Sequence, residues 1–135
     1  VEKLKIKSDL SGQEELKLKN NIVWENWSND LPSYYKTADL FLLTSYYEGY
    51  GVTVVEALSA GLPVIMSDVG CAGEVLVHEK NGLVFAVGDL SGLILSIDRI
   101  MTDLNLRELI RSNINATNFV WTEDEYLEEY RKNWA

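Results

Sequence analysis

The stretch that decides the fold reads Leu40-Phe41-Leu42-Leu43-Thr44-Ser45-Tyr46-Tyr47-Glu48-Gly49-Tyr50-Gly51-Val52-Thr53-Val54-Val55-Glu56-Ala57-Leu58-Ser59-Ala60-Gly61. Its first four residues are apolar without alternation, the texture of a parallel strand covered on both faces. Gly49 and Gly51 then flank Tyr50 where the pattern changes from strand to helix. The helical pattern covers Val52 to Ser59, and Gly61 followed by Pro63 supplies its stop.

Working outward, Val64-Ile65-Met66 reads as the next strand, Gly70 to Val77 as a turn and short helix, and Asn81-Gly82 as a tight turn into a strand at Leu83-Val84-Phe85. Amphipathic helices are expected over Ser91 to Met101, Leu104 to Phe119 and Glu123 to Trp134. Upstream, Leu4 to Asp9 alternates like a strand, Gln13 to Lys19 suits a turn or two of helix, and Ile22 to Glu25 suits a second strand. Asp30-Leu31-Pro32 opens a helix through Tyr34, Tyr35 and Ala38. Strands alternating with helices predict an α/β fold: a Rossmann-like, three-layer domain with a mostly parallel sheet. Ligands of such sheets sit beyond the carboxyl ends of the strands, which is where Ser45 to Gly51 falls.

The chain has 135 residues, of which 47% are hydrophobic, enough for one domain over 1–135 with a true core. A formal charge of −9 argues against a duplex nucleic-acid binder, whose affinity comes mainly from clustered Lys and Arg. Cys71 is the single cysteine, so no internal disulfide forms and a cytoplasmic location is expected. The longest apolar stretch, Gly51 to Met66, is broken by Glu56 and Pro63 and does not read as a membrane span. The chain opens on a strand-like run without an initiator Met, which is read as a piece excised from a longer protein.

The glycine elbow carries the chemistry. Amides of Gly51, Val52 and Thr53 fall in a first helical turn, lack intrahelical partners and, with the helix dipole, suit a phosphate oxygen. Glu48 precedes the elbow, and Glu56 lies one turn inside a helix whose side chains lean toward its start, so both carboxylates are expected to face one pocket. An ionised carboxylate accepts from neighbouring sugar hydroxyls. A glycosidase pair would need one carboxyl kept protonated, whereas Glu56 beside open amides should stay ionised. For Glu56 the competing reading is a solvated helix glutamate; the apolar residues on either side of it argue for a site. Trp27, near a strand end, is a candidate nucleobase neighbour, with core packing the competing and favoured reading. His78 reads as a surface histidine, and no cluster has the spacing of metal ligands.

The run Glu48-Gly49-Tyr50-Gly51-Val52-Thr53-Val54-Val55-Glu56-Ala57 resembles the E-x7-E signature of glycosyltransferase family 4. The likeness extends over Ala38 to Ser45, Ala60 to Ile65, Asp68-Val69-Gly70, Glu74, Asn81-Gly82-Leu83-Val84, Gly88-Asp89 and Phe119-Val120-Trp121, with Cys71 and Gly73 where the family more often has Gly and Pro. The resemblance implies the C-terminal, donor-binding half of a two-domain GT-B enzyme that transfers a hexose from a nucleoside diphosphate sugar with retention, without cofactor or metal. It implies that Glu48, the catalytic position, holds donor-hexose hydroxyls; that Gly49, Tyr50, Gly51, Val52 and Thr53 line the donor; and that Glu56 holds the ribose. It implies a missing N-terminal domain that binds an acceptor glycan or glycolipid, and work in lipopolysaccharide, O-antigen or other polysaccharide synthesis at the inner face of a membrane. A UDP-sugar, of hexose or N-acetylhexosamine, is expected over a GDP-sugar on frequency alone. Another GT-B activity, such as a nucleotide-sugar epimerase, and a noncatalytic α/β binding module are the alternatives.

Overall fold

The computed structural model describes residues 21–23 and 25–116. The expected elements at 4–9, 13–19 and 123–134 lie outside them. In chain order the described elements are α1 (Leu31–Thr37), β1 (Phe41–Leu43), α2 (Val52–Ser59), β2 (Val64–Ser67), β3 (Leu83–Phe85), α3 (Leu90–Thr102) and α4 (Leu104–Ala116). The strands pair in the order β1-β2-β3 and both pairings are parallel, Phe41 beside Val64 and Ile65 beside Leu83. The fold is therefore α/β with a parallel sheet, as the sequence predicts.

Each boundary has a local cause. α2 starts on Gly51 in the left-handed region and ends in a Schellman arrangement: Gly61, at φ +80, donates to the Leu58 carbonyl at 2.9 Å while Leu62 donates to that of Ala57 at 3.0 Å. Pro63, next in line, blocks any continuation and delivers the chain into β2. α3 is capped by Asp89, whose carboxylate accepts from Gly92 at 2.9 Å, and the first turn of α4 by Asp103, which accepts from Leu106 at 3.0 Å.

All four residues of β2 are buried, so the centre of the sheet is covered on both faces. Val54, Ala57 and Leu58 of α2, Ile100 of α3 and Ile110 and Ile114 of α4 complete the core around Ile65, Met66 and Leu83. Burying a side chain of that size contributes roughly 1.5–3 kcal/mol. Gly82 admits the closest approach in this core: a Cβ there would stand 2.7 Å from the Val64 carbonyl oxygen and from a Leu76 methyl.

Three expectations are corrected. The strand expected over Ile22 to Glu25 is absent from its described residues; Val23 is 78% exposed, and a short apolar run without alternation carries no face-specific signal. Gly70 to Val77 forms turns and an isolated bridge between Ala72 and Leu76, with no helix, because Gly70 and Gly73 both take positive φ. The strand at Leu40 to Leu43, expected to be central and covered on both faces, is β1, which stands at an edge of the described sheet with Leu42 43% exposed, while β2 holds the central place. No helix among the described residues is long and apolar enough to cross a membrane.

Candidate functional site

Parallel strands send their carboxyl ends to one edge, and three loops meet there. The loop after β1 is tied to the loop after β2 by the Cys71 amide, which donates to the Tyr50 carbonyl at 2.8 Å. Asp68 donates from its amide to the Phe85 carbonyl at 2.8 Å, joining the ends of β2 and β3. Gly70, at φ +52, lies so close that a Cβ would be 2.6 Å from the Tyr50 carbonyl oxygen and 3.1 Å from the Glu48 Cβ. The Tyr46 ring reaches the loop after β3, 3.6 Å from where a Gly88 Cβ would be.

Gly51 is the elbow: φ 88 and ψ 53 place it in the left-handed region, which a glycine adopts without steric cost. Val54 donates to the Gly51 carbonyl at 2.9 Å, and no side chain caps this helix start. The amides of Val52 and Thr53 therefore face out of the helix along its positive dipole end, without an intrahelical acceptor.

The two carboxylates have separate partners. Ser45 Oγ donates to Glu48 Oε1 at 2.6 Å, and the buried Ser67 hydroxyl donates to the Ser45 carbonyl, also at 2.6 Å. Ser67 Oγ also lies 3.4 Å from the Leu43 carbonyl, but one hydroxyl has one proton and the shorter contact takes it. Glu56 Oε2 accepts from the Tyr35 hydroxyl at 2.9 Å, across the gap between α2 and α1. A cavity of about 440 Å³ lies in that gap, lined by Leu31, Pro32, Tyr35, Val52, Val55 and Glu56 among others. Glu48 is not part of that lining. The elbow thus stands between a carboxylate held to the strand-end loop and a carboxylate held to α1.

Local charge leaves its mark on the surrounding acids. Burial pushes the Cys71 thiol up, and the carboxylates of Glu74 and Glu48 push in the same direction. Tyr50 is raised by burial first and by Glu74 next. Tyr35 is pushed up to about 12, by burial and then by the hydrogen bond and charge of Glu56.

Trp27 is 89% exposed and its Nε1 donates to Asn29 Oδ1 at 3.2 Å, which overturns core packing as its role. Gly49 has open space around it, and Tyr46 and Tyr47 are largely exposed beside Glu48. His78 is half-exposed, as expected, and it also holds the main chain, its Nδ1 accepting from the Val84 amide at 2.9 Å. Tyr35, Ser45 and Ser67 were not distinguished as site residues by the sequence. Their partners are remote or set by loop geometry, so no local pattern marks them.

The family model described as glycosyl transferases group 1 matches residues 5–117. The chain belongs to the group 1 glycosyltransferases. Among proteins similar to this group 1 chain, an uncharacterised glycosyltransferase of Methanocaldococcus jannaschii is 33% identical over 101 residues, 73% of this chain and 26% of that protein. The Escherichia coli UDP-Gal:alpha-D-GlcNAc-diphosphoundecaprenol alpha-1,3-galactosyltransferase is 30% identical over 122 residues, 87% of this chain and 32% of that protein. Among solved structures, Anabaena HepE in complex with UDP superposes with a TM-score of 0.75 at 26% identity, covering 88% of this chain and 34% of that one. HepE with UDP-glucose gives 0.70 at 30% identity, covering 76% and 29%. The chain spans about a quarter to a third of the length of these relatives.

Proposed function

We propose that this group 1 chain is the donor-binding part of a retaining, E-x7-E glycosyltransferase of family 4 type, which transfers a hexosyl group from a nucleoside diphosphate sugar. The observation that carries this reading is the Gly51 elbow, with Glu48 on the loop before it, open amides at Val52 and Thr53, and Glu56 one turn beyond. The amides suit diphosphate oxygens, and the carboxylates suit hydroxyls of the hexose at Glu48 and of the ribose at Glu56. Gly49 and Tyr50 would give the hexose access along the main chain, and Trp27, with its indole exposed, is kept as a nucleobase neighbour.

A UDP-sugar is the favoured donor, supported by the solved complexes of HepE with UDP and UDP-glucose and by the UDP-galactose in the name of the E. coli relative. Surface polysaccharide or glycolipid assembly is supported by relatives named for lipopolysaccharide core and O-antigen synthesis. Acceptor, linkage and the groups that neutralise the leaving diphosphate belong to the remainder of a longer enzyme. Rate enhancement there would come from positioning and from stabilising charge on the diphosphate, with neither metal nor cofactor called for.

Calorimetric titration of the chain with UDP, GDP and their hexose conjugates tests the reading. Weak binding of one nucleotide series is expected, reduced at least ten-fold by Glu56→Ala. A chain that binds none of them, or a Glu56→Ala variant that binds as the wild type does, overturns it in favour of a module without nucleotide affinity.

A further inference from the structure

The Tyr35 hydroxyl is the hydrogen-bond partner of Glu56, the residue read above as the ribose holder. Tyr35 is itself fixed from behind: its ring meets Phe41 edge to face, centroids 5.9 Å apart and planes at 69°, and Phe41 is paired with Val64 of the buried central strand. The sheet thus sets the phenol, and the phenol sets one oxygen of the carboxylate. Lys36, next in sequence, lines the same cavity and makes no ion pair with Glu56.

The choice of donor has a chemical consequence. A lysine or arginine at this point would neutralise Glu56, whereas a phenol donates one hydrogen bond and leaves the negative charge in place. It fills one lone-pair position on Oε2. Oε1 and the remaining position on Oε2 are left to accept from incoming hydroxyls, in an orientation already set before binding rather than drawn from rotamer freedom at that moment. Glutamate on an exposed helix face has three free torsions, and the Tyr35 contact restrains them.

We propose that Tyr35 is a positioning residue for the donor site, which orients Glu56 so that it accepts from the two adjacent hydroxyls of a ribonucleotide and discriminates against a sugar that lacks one. The proposal rests on the donor-binding reading of Glu56. Tyr35 acts through Glu56 and touches no substrate.

The test is a double-mutant cycle on the chain, titrated with UDP and 2′-deoxy-UDP, and with the guanine pair if GDP is the nucleotide bound. Wild type should prefer the ribonucleotide, and Tyr35→Phe should weaken ribonucleotide binding about five-fold, the worth of one hydrogen bond. The deoxynucleotide should lose less, so the ribose to deoxyribose preference falls. In a Glu56→Ala background, where the hydroxyl has no acceptor at this position, the Tyr35→Phe change should have no further effect on either ligand. Equal weakening of both nucleotides by Tyr35→Phe, or additive losses in the double variant, would show a merely structural tyrosine and overturn the proposal while the donor-binding reading stands. Tyr35→Phe that binds both nucleotides as wild type does overturns it equally. If wild type binds neither nucleotide, or Glu56→Ala leaves binding unchanged, the donor-binding reading falls and takes this proposal with it. A thermal melt of each variant accompanies the titrations, so that loss of fold is read separately from loss of orientation.

Discussion

The hydroxyl of Ser67, at the end of β2, donates to the main-chain carbonyl of Ser45, 22 residues earlier, at 2.6 Å. Ser45 in turn donates its own hydroxyl to Glu48, so the buried strand and the part-buried loop carboxylate are joined through two hydrogen bonds in series. Ser67 is 1% exposed, and the Ser45 carbonyl would lose this partner if the hydroxyl were removed. Ser67→Ala is therefore expected to cost about 1–2 kcal/mol, most of it the penalty of an unsatisfied acceptor. Urea denaturation measures it, and an unchanged midpoint would show that water replaces the hydroxyl at no cost. If the chain binds a nucleotide sugar as proposed, the same variant should weaken that binding, because the Glu48 loop loses one of its ties to the sheet.

The glycines of the region separate two kinds of constraint. Gly82 has no positive φ, but a Cβ would stand 2.7 Å from the Val64 carbonyl oxygen, which a core strand cannot yield. Gly73, at φ +81, has nothing within 4 Å, so only its backbone conformation resists a side chain. Gly70 combines the two, at φ +52 and 2.6 Å from the Tyr50 carbonyl oxygen. Alanine is expected to cost roughly 1–2 kcal/mol at Gly73, from the left-handed conformation alone. Gly70→Ala should cost more than that, and Gly82→Ala up to about 3 kcal/mol from overpacking. Chemical denaturation of the alanine variants gives the order directly; Gly73 as the most costly of the set would contradict it.

Glu79 is a non-glycine residue at φ 60 in a turn whose main chain is bonded by its own amide to the Gly82 carbonyl at 2.8 Å, and its side chain meets Arg99, whose Nη1 is 2.6 Å from Glu79 Oε1. The contact ties the turn before β3 to α3. The hydrogen-bonded Arg99 guanidinium, and then its charge, hold the Glu79 carboxyl below the usual range. A carboxyl depressed in the fold contributes stability above its unfolded value, and that contribution is lost as pH falls through the folded value. Glu79→Ala should lose the ion pair while keeping the strained conformation, whereas Glu79→Gly should lose the pair and relieve the strain. The glycine variant is thus expected to be the more stable of the two, against the usual order of these residues. Both should show a flatter decline in stability on acidification than wild type, measured by melting at successive pH values below neutrality.

Much of the fold was legible because glycine and proline punctuate it. Gly51, Gly61 and Pro63 bracket Val52 to Ser59, and the helix has those bounds. Asn81-Gly82 marks the approach to β3, although Asn81 does more than turn the chain: its side chain accepts from the Val77 amide at 2.7 Å and donates to the Val75 carbonyl at 2.9 Å. Where the glycines lie inside a segment, at Gly70 and Gly73, the pattern misread turns as a helix. The elbow and its two acidic residues were visible as local features. What fixes those residues was not, since Tyr35 and Glu56 are 21 positions apart and the contact of Tyr35 with Phe41, which places its hydroxyl, arises only in the folded chain. The exposure of Trp27 was equally hidden, because a large aromatic carries the same apolar signal whether or not a neighbour covers it.

Tyr35 offers a test of that packing by alkaline titration. Its phenol is raised from 10.0 to about 12 because burial and the adjacent Glu56 both disfavour a second negative charge. A group whose folded value is raised contributes stability that is complete below the unfolded value and is lost as pH rises toward the folded one. The stability difference between wild type and Tyr35→Phe should therefore be constant up to about pH 10, then shrink toward pH 12 as the unfolded phenol ionises and the folded one does not. Denaturant melts across that window measure it, and ultraviolet difference spectra against Tyr35→Phe report the phenolate itself. In a Glu56→Gln background the hydrogen bond to an ionised carboxylate is gone and the neighbouring charge with it, so the Tyr35 value should move back toward 10 without reaching it, since burial remains the larger cause. A Tyr35 that titrates identically with and without the Glu56 charge would show that the two side chains do not meet in solution.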